Sequence, residues 1–461
     1  MLENVFNDVR RRVQTLPLGA TDSLRQRVWR GTAWTLFGYG AGQVMRLGGN
    51  LIVTRLLYPE LFGLMALVTA TTIGFTLLSD LGIGTSIVQN PRGKEPAFLN
   101  TAWTLQVGRG ILLFLLSFPI ADLLAQWYAE PRLRVLIPAA SLGVLFAGFN
   151  ATSLPTLQRE LRIATLTKIE LTAQASGIVA MILWAWVAPS MWALACAAPV
   201  YALVRLIASH LVRAEIRNRF AWDHSSWRAI WSFGKWVLLT SSILFFAEQS
   251  DRLMLGKVAP LELLGVYGIA LTFAEIPRQI TLAVAGNVLF PALSSLQNLP
   301  RPELRAKIIK NRLPILYALA AFVVCFAALG DFLVRLLYDA RYWQATWMLP
   351  LLALGMWPRM LCNTIEPALY AIGKPQYTAA AQATRVAWTV GGVLIGFAAA
   401  GIFGAVLAIA LNDIVYYAVI NFGLRREGLS ALRQDARATA LLLAILCLMI
   451  VTRYLTGWGL S

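Results

Sequence analysis

The chain has 461 residues, 58% of them hydrophobic and only 14% charged, with a formal net charge of +17. Soluble proteins carry about 25% charged residues, so this composition and a mean hydropathy of +0.63 exclude a set of soluble domains. The positive charge is spread over many short segments rather than gathered on one face, which excludes a nucleic-acid-binding surface and points to membrane topology and to contact with anionic lipid headgroups.

Residues 1–30 hold no apolar run of the kind a signal peptide needs. Leu2, Val5, Phe6, Val9, Val13 and Leu16 recur at helical spacing beside Arg10, Arg11 and Arg12, the pattern of an amphipathic helix on the inner membrane surface that Pro17 ends. A crossing helix needs about 20 mainly apolar residues. On that measure spans are expected at 31–54, 62–88, 99–120, 135–156, 163–188, 190–212, 230–255, 262–290, 313–337, 345–371, 376–399, 402–423 and 438–456. Lys and Arg crowd into alternate gaps: Arg10 to Arg30, Arg92 and Lys94, Arg159 to Lys168, Arg213 to Arg228, Arg301 to Arg312, Lys374, and Arg425 to Arg437. About 25 basic residues fall on that side against about 7 on the other, which by the positive-inside rule places the N-terminus in the cytoplasm.

Phe220, Trp222 and Trp227 lie among arginines in the longer inner segment 213–229, a mixture that favours the headgroup interface, and this segment divides the chain almost in half. Asn50 to Gly63 (NLIVTRLLYPELFG) resembles Asp251 to Gly265 (DRLMLGKVAPLELLG), with Pro59 matched to Pro260 and Gly63 to Gly265 after a one-residue gap. Two bundles related by such a repeat place a substrate between them. The expected fold is therefore an all-α polytopic membrane protein of two six-helix lobes plus about one extra C-terminal transmembrane helix. Its parts are a cytoplasmic amphipathic segment at 1–30, a first lobe at 31–212, a cytoplasmic linker at 213–229, a second lobe at 230–423, and a linker with the last helix at 424–461.

Cys196, Cys325, Cys362 and Cys447 sit singly in apolar stretches, without the spacing of a metal site or a disulfide framework. With His210 and His224 as the only histidines, zinc-hydrolase and Ser-His-Asp chemistry are excluded. No DxD motif appears, and the longest outer gap, Asp122 to Arg134, is short for a membrane glycosyltransferase or polymerase.

The informative residues are charges inside the spans. Tyr39, Gln43, Arg46 and Asn50, at spacings of four, three and four, share one face of the first helix, and no acid lies one turn from Arg46. Arg359, Asn363, Glu366 and Tyr370 repeat the spacing in the tenth span; Thr378, Gln382, Arg385 and Thr389 line the eleventh; Arg109 follows Gln106 in the third. An arginine at the bilayer centre costs about 2.5–3.5 kcal/mol on insertion scales, a cost that a shared wet cavity removes. Guanidinium groups suit phosphate because their planar fork makes paired, charge-assisted bonds and stays protonated. Tyr39, Gln43, Arg46, Asn50, Arg109, Arg252, Arg278, Arg359, Asn363 and Arg385 are accordingly the candidate residues for an anionic substrate in a cationic cavity. Asp80, Glu248, Asp251, Glu366 and Asp413 are the candidates for coupling or gating, Asp251 first among them. A structural reading stands beside this one: Glu248 with Arg252 and Glu275 with Arg278 neutralise themselves one turn apart, Asp413 pairs with Arg385 or Arg359 as glue between helices, and Lys235 snorkels. No catalytic group, cofactor or metal is expected, and coupling to Na+ or H+ is left open.

Several runs carry a family likeness: Thr54 to Gly63 (TRLLYPELFG), Ser79 to Gln89 (SDLGIGTSIVQ), Asn100-Thr101-Ala102, Asp251-Arg252 before Gly256, Leu264-Gly265 with Tyr267, Pro277, Phe290-Pro291-Ala292-Leu293-Ser294, and Gly373-Lys374. In order and spacing these resemble the polysaccharide transporter family, the Wzx-like flippases of the superfamily that also contains multidrug and lipid II carriers. The resemblance implies a two-lobed bundle in the bacterial inner membrane. It would rock between inward-open and outward-open states and move an undecaprenyl-diphosphate-linked oligosaccharide to the outer leaflet for exopolysaccharide, capsule or O-antigen assembly, with a polymerase and chain-length proteins as partners. The chain departs from the family in showing one span after the core twelve where many relatives have two. A multidrug or cation antiporter of the same fold is the alternative, though it would sooner place an acid than Arg46 on the first helix.

Overall fold

The computed structural model describes residues 18–212, 218–289 and 299–456, with Leu293 and Leu296. The amphipathic helix expected over residues 1–17 and most of Phe290 to Ser294 lie outside the described residues. Among those described the structure is helical and holds no strand.

The first span is α1, Leu18–Leu56, which begins directly after Pro17. Residues 18–30, expected in the segment before the first lobe, therefore belong to the first helix. The second span is broken into α2, Pro59–Leu77, and α3, Ile83–Gln89. Between them Gly82 is left-handed at φ +58°, and the Asp80 carboxylate accepts from its N–H at 2.9 Å, a turn that competes with helix. α4, Pro96–Trp127, is followed by α5, Leu133–Gly148, and α6, Ser153–Arg159, the last two bent by 60°. α7, Ile163–Val187, leads to α8, Met191–Ala195, and α9, Ala197–Val212.

The second half opens with α10, His224–Val258, and α11, Leu261–Val284, whose end widens into a π turn over Ala285–Leu289. α12 is Arg301–Leu337. The tenth span is cut into α13, Ala345–Gly355, α14, Trp357–Asn363, and α15, Glu366–Ala371, with Pro358 and Pro367 in the first turns of the last two, where a missing N–H is tolerated. α16, Gln376–Arg426, folds back on itself at Ala400 and Gly401, the latter at φ +59°, so its arms are the expected eleventh and twelfth spans. The Trp388 indole accordingly donates to the Ala408 carbonyl at 3.0 Å. α17, Leu432–Thr456, covers the expected thirteenth span; against the thirteen spans expected, eight of the described helices, or nine with the bent pair α5 and α6, are long and apolar enough to cross a membrane.

The repeat seen in the sequence becomes a contact. A Cβ on Gly63 would lie 1.8 Å from the Leu261 carbonyl oxygen, and one on Gly265 would lie 2.0 Å from that of Pro59. This reciprocity makes Pro59 equivalent to Leu261, not to Pro260 as the sequence match suggested. Each begins its helix, and each is followed four residues later by the glycine that lets the backbones touch. The largest buried cluster crosses this seam, with Leu64, Leu67 and Val68 of α2 beside Leu264 and Tyr267 of α11. Beside it, the Tyr342 hydroxyl donates to the Leu57 carbonyl at 3.1 Å, tying the loop after α12 to the end of α1.

The far ends of the halves also meet. A Cβ on Gly234 would lie 2.6 Å from the Leu81 carbonyl oxygen, and the segment leading into α10 lies extended along the start of α4. Its N–H groups at Arg219, Ala221 and Asp223 donate to Asn100 Oδ1, Thr104 Oγ1 and Thr101 Oγ1 at 3.0, 3.1 and 3.0 Å. Asn100 and Thr101, conspicuous in the sequence, thus hold the connection between the halves. The Asp223 side chain caps α10, and the hydroxyls of Ser225 and Ser226 hold its carboxyl well below the usual carboxylate range.

α17 is pinned to α12 by two ion pairs. Arg312 and Asp435 meet at 2.5 Å, both almost wholly buried, and Arg312 also donates to Thr364 and to the Leu361 carbonyl at the break after α14. Arg453 and Asp331 meet at 2.6 Å near the other end. Removing one member of a buried pair strands the other, at about 3–5 kcal/mol. Asp435→Ala is expected to lose stability on that scale, and the apolar double substitution Arg312→Met with Asp435→Leu to recover most of it, as read from thermal unfolding in detergent.

Candidate functional site

Charged groups from three helices meet inside the second half. Arg278 of α11 donates to Glu248 Oε2 of α10 at 3.1 Å and to Glu275 Oε1, one turn back, at 3.0 Å. Arg385, on the first arm of α16, lies 3.6 Å from Glu248 Oε1 and 3.0 Å from Asp413 Oδ1 on the second arm. Glu248 is thus shared by two guanidinium groups. They enclose a cavity of about 30 Å³, also lined by Asp251, Glu275 and Asp413 and large enough for about one water. Tyr267, wholly buried, donates to Asp251 Oδ2 at 2.5 Å, while Asp251 Oδ1 has no hydrogen-bond partner among the described residues.

Arg359 of α14 sits beside this cluster, 6% exposed, with its guanidinium carbon 3.7 Å from the centroid of the Tyr416 ring. Its Nε and Nη1, and Asn363 Nδ2 one turn on, make no hydrogen bond among the described residues. Tyr416 donates instead to Glu366 Oε1 at 2.9 Å.

The expected cationic cavity is corrected by this arrangement. Arg252, Arg278, Arg359 and Arg385 stand among Glu248, Asp251, Glu275, Glu366 and Asp413, four cations to five carboxylates, and the cluster lies within the second half, not between halves. A low-dielectric interior cannot hold a row of bare guanidinium groups, so they are neutralised where they are buried. Expected local pairings change as well. Glu248 turns away from Arg252 to Arg278 and Arg385, and Arg252 donates to Gln249 Oε1 at 3.0 Å. Glu275 with Arg278, and Asp413 with Arg385, pair as the structural reading had it.

Arg109 joins neither group. It donates to Ser79 Oγ at 2.9 Å and to the Thr76 carbonyl, while Gln106 donates to the carbonyls of Ala147, Gly148 and Asn150 at 3.1 Å each. Both side chains satisfy backbone left open where spans two and four break. Asp80 is likewise engaged in its turn and accepts from Ser241 at 3.4 Å.

The first-helix face is different. Tyr39 Oη and Gln43 Nε2 reach across the boundary to Gln279 Oε1 of α11, at 2.7 and 2.6 Å. Arg46, three residues on, is exposed and makes no ion pair or hydrogen bond among the described residues; Asn50 follows, half-buried. Of the candidate cations, Arg46 alone combines an exposed side chain with no partner among the described residues. Gln279 escaped the sequence reading and Tyr267 entered it only through the family likeness, although Gln279 follows Glu275 by one turn and so extends a polar face.

A protein-family model described as "Polysaccharide biosynthesis protein" matches residues 52–347. The chain is 26% identical over 287 residues to the lipopolysaccharide biosynthesis protein WzxC of Escherichia coli (strain K12), a match covering 60% of this chain and 56% of WzxC. It is 23% identical over 350 residues to the succinoglycan biosynthesis transport protein ExoT of Rhizobium meliloti (strain 1021), covering 75% of this chain and 70% of ExoT. The match thus spans little more than half the length of WzxC. Among solved structures, the lipid II flippase MurJ in an inward closed conformation superposes with a TM-score of 0.69 at 13% identity, over 94% of this chain and 93% of MurJ. At that identity the likeness is one of fold.

Proposed function

The chain belongs to the polysaccharide biosynthesis protein family, and on that premise we propose that it is a flippase, moving an undecaprenyl-diphosphate-linked oligosaccharide from the inner to the outer leaflet of the bacterial cytoplasmic membrane. The observation that carries this reading is the Tyr39, Gln43 and Arg46 face at the boundary between the halves: two neutral donors and one uncommitted guanidinium, the groups a diphosphate requires. The names of WzxC, a lipopolysaccharide biosynthesis protein, and ExoT, a succinoglycan biosynthesis transport protein, support a glycan as the transported class. The N-terminus is cytoplasmic on the distribution of basic residues, about 25 against about 7. Those inner residues hold anionic lipids. A polymerase and chain-length proteins receive the product.

In this reading the buried cluster of the second half is the gearing, not the grip. Arg278 and Arg385 share Glu248, so a movement of either α11 or α16 changes which guanidinium that carboxylate holds. Asp251, with one buried oxygen unpartnered beside the small cavity, is the group we assign to a coupling H+ or Na+. A headgroup with about two negative charges gains about 2.3 kcal/mol per charge per 100 mV when carried out of an inside-negative compartment. The test is transport of a fluorescent polyprenyl-diphosphate glycan in proteoliposomes. Rates are expected to rise with an imposed inside-negative potential, and a drug efflux phenotype without any glycan transport would favour the antiporter instead.

A further inference from the structure

The bond between the halves at Gln279 has a chemical peculiarity. Two donors on α1, Tyr39 Oη and Gln43 Nε2, converge on one acceptor oxygen, and the two donors lie 3.1 Å from each other. Converging donors with a free guanidinium one turn away form the setting in which a phosphoryl oxygen is held. What occupies that point is the neutral amide oxygen of the protein's own Gln279. The other end of the amide, Nε2, lies 3.5 Å from Glu275 Oε2, and Glu275 is bonded to Arg278. One side chain therefore links the α1 face to the charge cluster of the second half.

We propose that Gln279 is an internal stand-in for the ligand. Its amide oxygen fills the phosphoryl-oxygen position of the Tyr39, Gln43 and Arg46 face and bolts α1 to α11, and the diphosphate of a lipid-linked ligand displaces it. The exchange runs toward the ligand because a charged oxygen is the stronger acceptor and brings Arg46 into play, which the amide does not. It runs back when the ligand leaves, since both donors then regain a partner and neither is left unsatisfied. Displacement also releases α11 from α1, which couples occupancy of the face to separation of the halves on that side. This inference rests on the proposed function, and it adds a residue whose part is to be replaced.

Binding of farnesyl diphosphate to the purified full-length protein in detergent, with farnesol as the uncharged control, tests it. Gln279→Ala removes the competitor and is expected to bind farnesyl diphosphate about ten-fold more tightly, the scale of one or two hydrogen bonds. Gln279→Glu places a stronger, charged competitor at the same point and is expected to bind about ten-fold more weakly. If Gln279→Ala is unstable, Gln279→Met keeps the volume without the acceptor and gives the same reading. Farnesyl diphosphate binding that is the same in the wild type and both variants overturns the stand-in while leaving the flippase reading intact. No preference for farnesyl diphosphate over farnesol in the wild type or in Gln279→Ala overturns both.

Discussion

Arg46→Ala is expected to cut glycan export by about 10- to 100-fold while leaving the amount of protein in the membrane unchanged. The magnitude is that of one or two hydrogen bonds to a charged group, about 1.5–3 kcal/mol. The selectivity follows from the structure. Arg46 is exposed and has no partner among the described residues, so its removal strands no carboxylate and empties no packed space. Arg385→Ala would behave otherwise, because it leaves Asp413 and part of Glu248 uncompensated in the interior and reduces stability before it says anything about substrate. Arg46→Lys keeps the charge and loses the planar fork, and an intermediate rate is expected. The measurement is complementation of a flippase-null strain with the variant's membrane level followed in parallel. Full complementation by Arg46→Ala would remove this residue from the site.

The course of the helices was legible because the solvent writes it. An apolar run of about 20 residues has few alternatives in a bilayer, and each expected span falls within one or more helices, although α1 and α12 begin about a dozen residues before theirs. What the runs do not reveal is where a span breaks. Spans two and four look continuous by hydropathy, yet Asp80 and Gly82 interrupt the one and a 60° bend the other. Those breaks are stabilised from elsewhere, by Arg109 and Gln106 of α4, whose partners lie about 30 to 44 positions away in the chain. The same reach explains the first helix. Hydropathy begins at residue 31, whereas the backbone is helical from Leu18, since a helix need not be apolar to continue beyond the membrane.

Periodicity within a helix gave neighbours more readily than pairings between helices. Spacings of three and four put Tyr39, Gln43 and Arg46 on one face, and Gln43 donates to Tyr39 at 3.1 Å. It was weaker for Glu248, which had Arg252 one turn away in sequence but found Arg278 and Arg385 in space. Within one helix, geometry alone nominates partners. Between helices, burial decides, because a guanidinium taken from solvent needs a partner, a carboxylate for Arg278, Arg312 and Arg385 and an aromatic face for Arg359, and the nearest in space is seldom the nearest in sequence. Gln279 shows the remaining gap, since a neutral amide carries no charge to make it conspicuous and its part depends on the helix opposite.

Gly63→Ala is expected to have the largest effect of all. Its added Cβ would sit 1.8 Å from the Leu261 carbonyl oxygen, far inside contact distance, with backbone on both sides and no flexible side chain to move away. The closed seam between α2 and α11 must then open by more than an ångström. Overpacking of this kind costs about 3 kcal/mol, which lowers the population of the closed arrangement by about two orders of magnitude. Because the contact is reciprocal, Gly265→Ala is expected to do the same through the Pro59 carbonyl. An alternating carrier needs each of its closed states, so export should fall nearly to background even though the Arg46 face is untouched. A cysteine in place of Leu264, wholly buried beneath the seam, reports the state directly. In a background lacking the native cysteines it is expected to resist a membrane-impermeant maleimide when Gly63 is present and to react when the Gly63→Ala substitution is added. Unchanged export together with an unreactive cysteine would mean that the helices part here without consequence, and that the repeat's two glycines serve assembly of the fold, not its cycle.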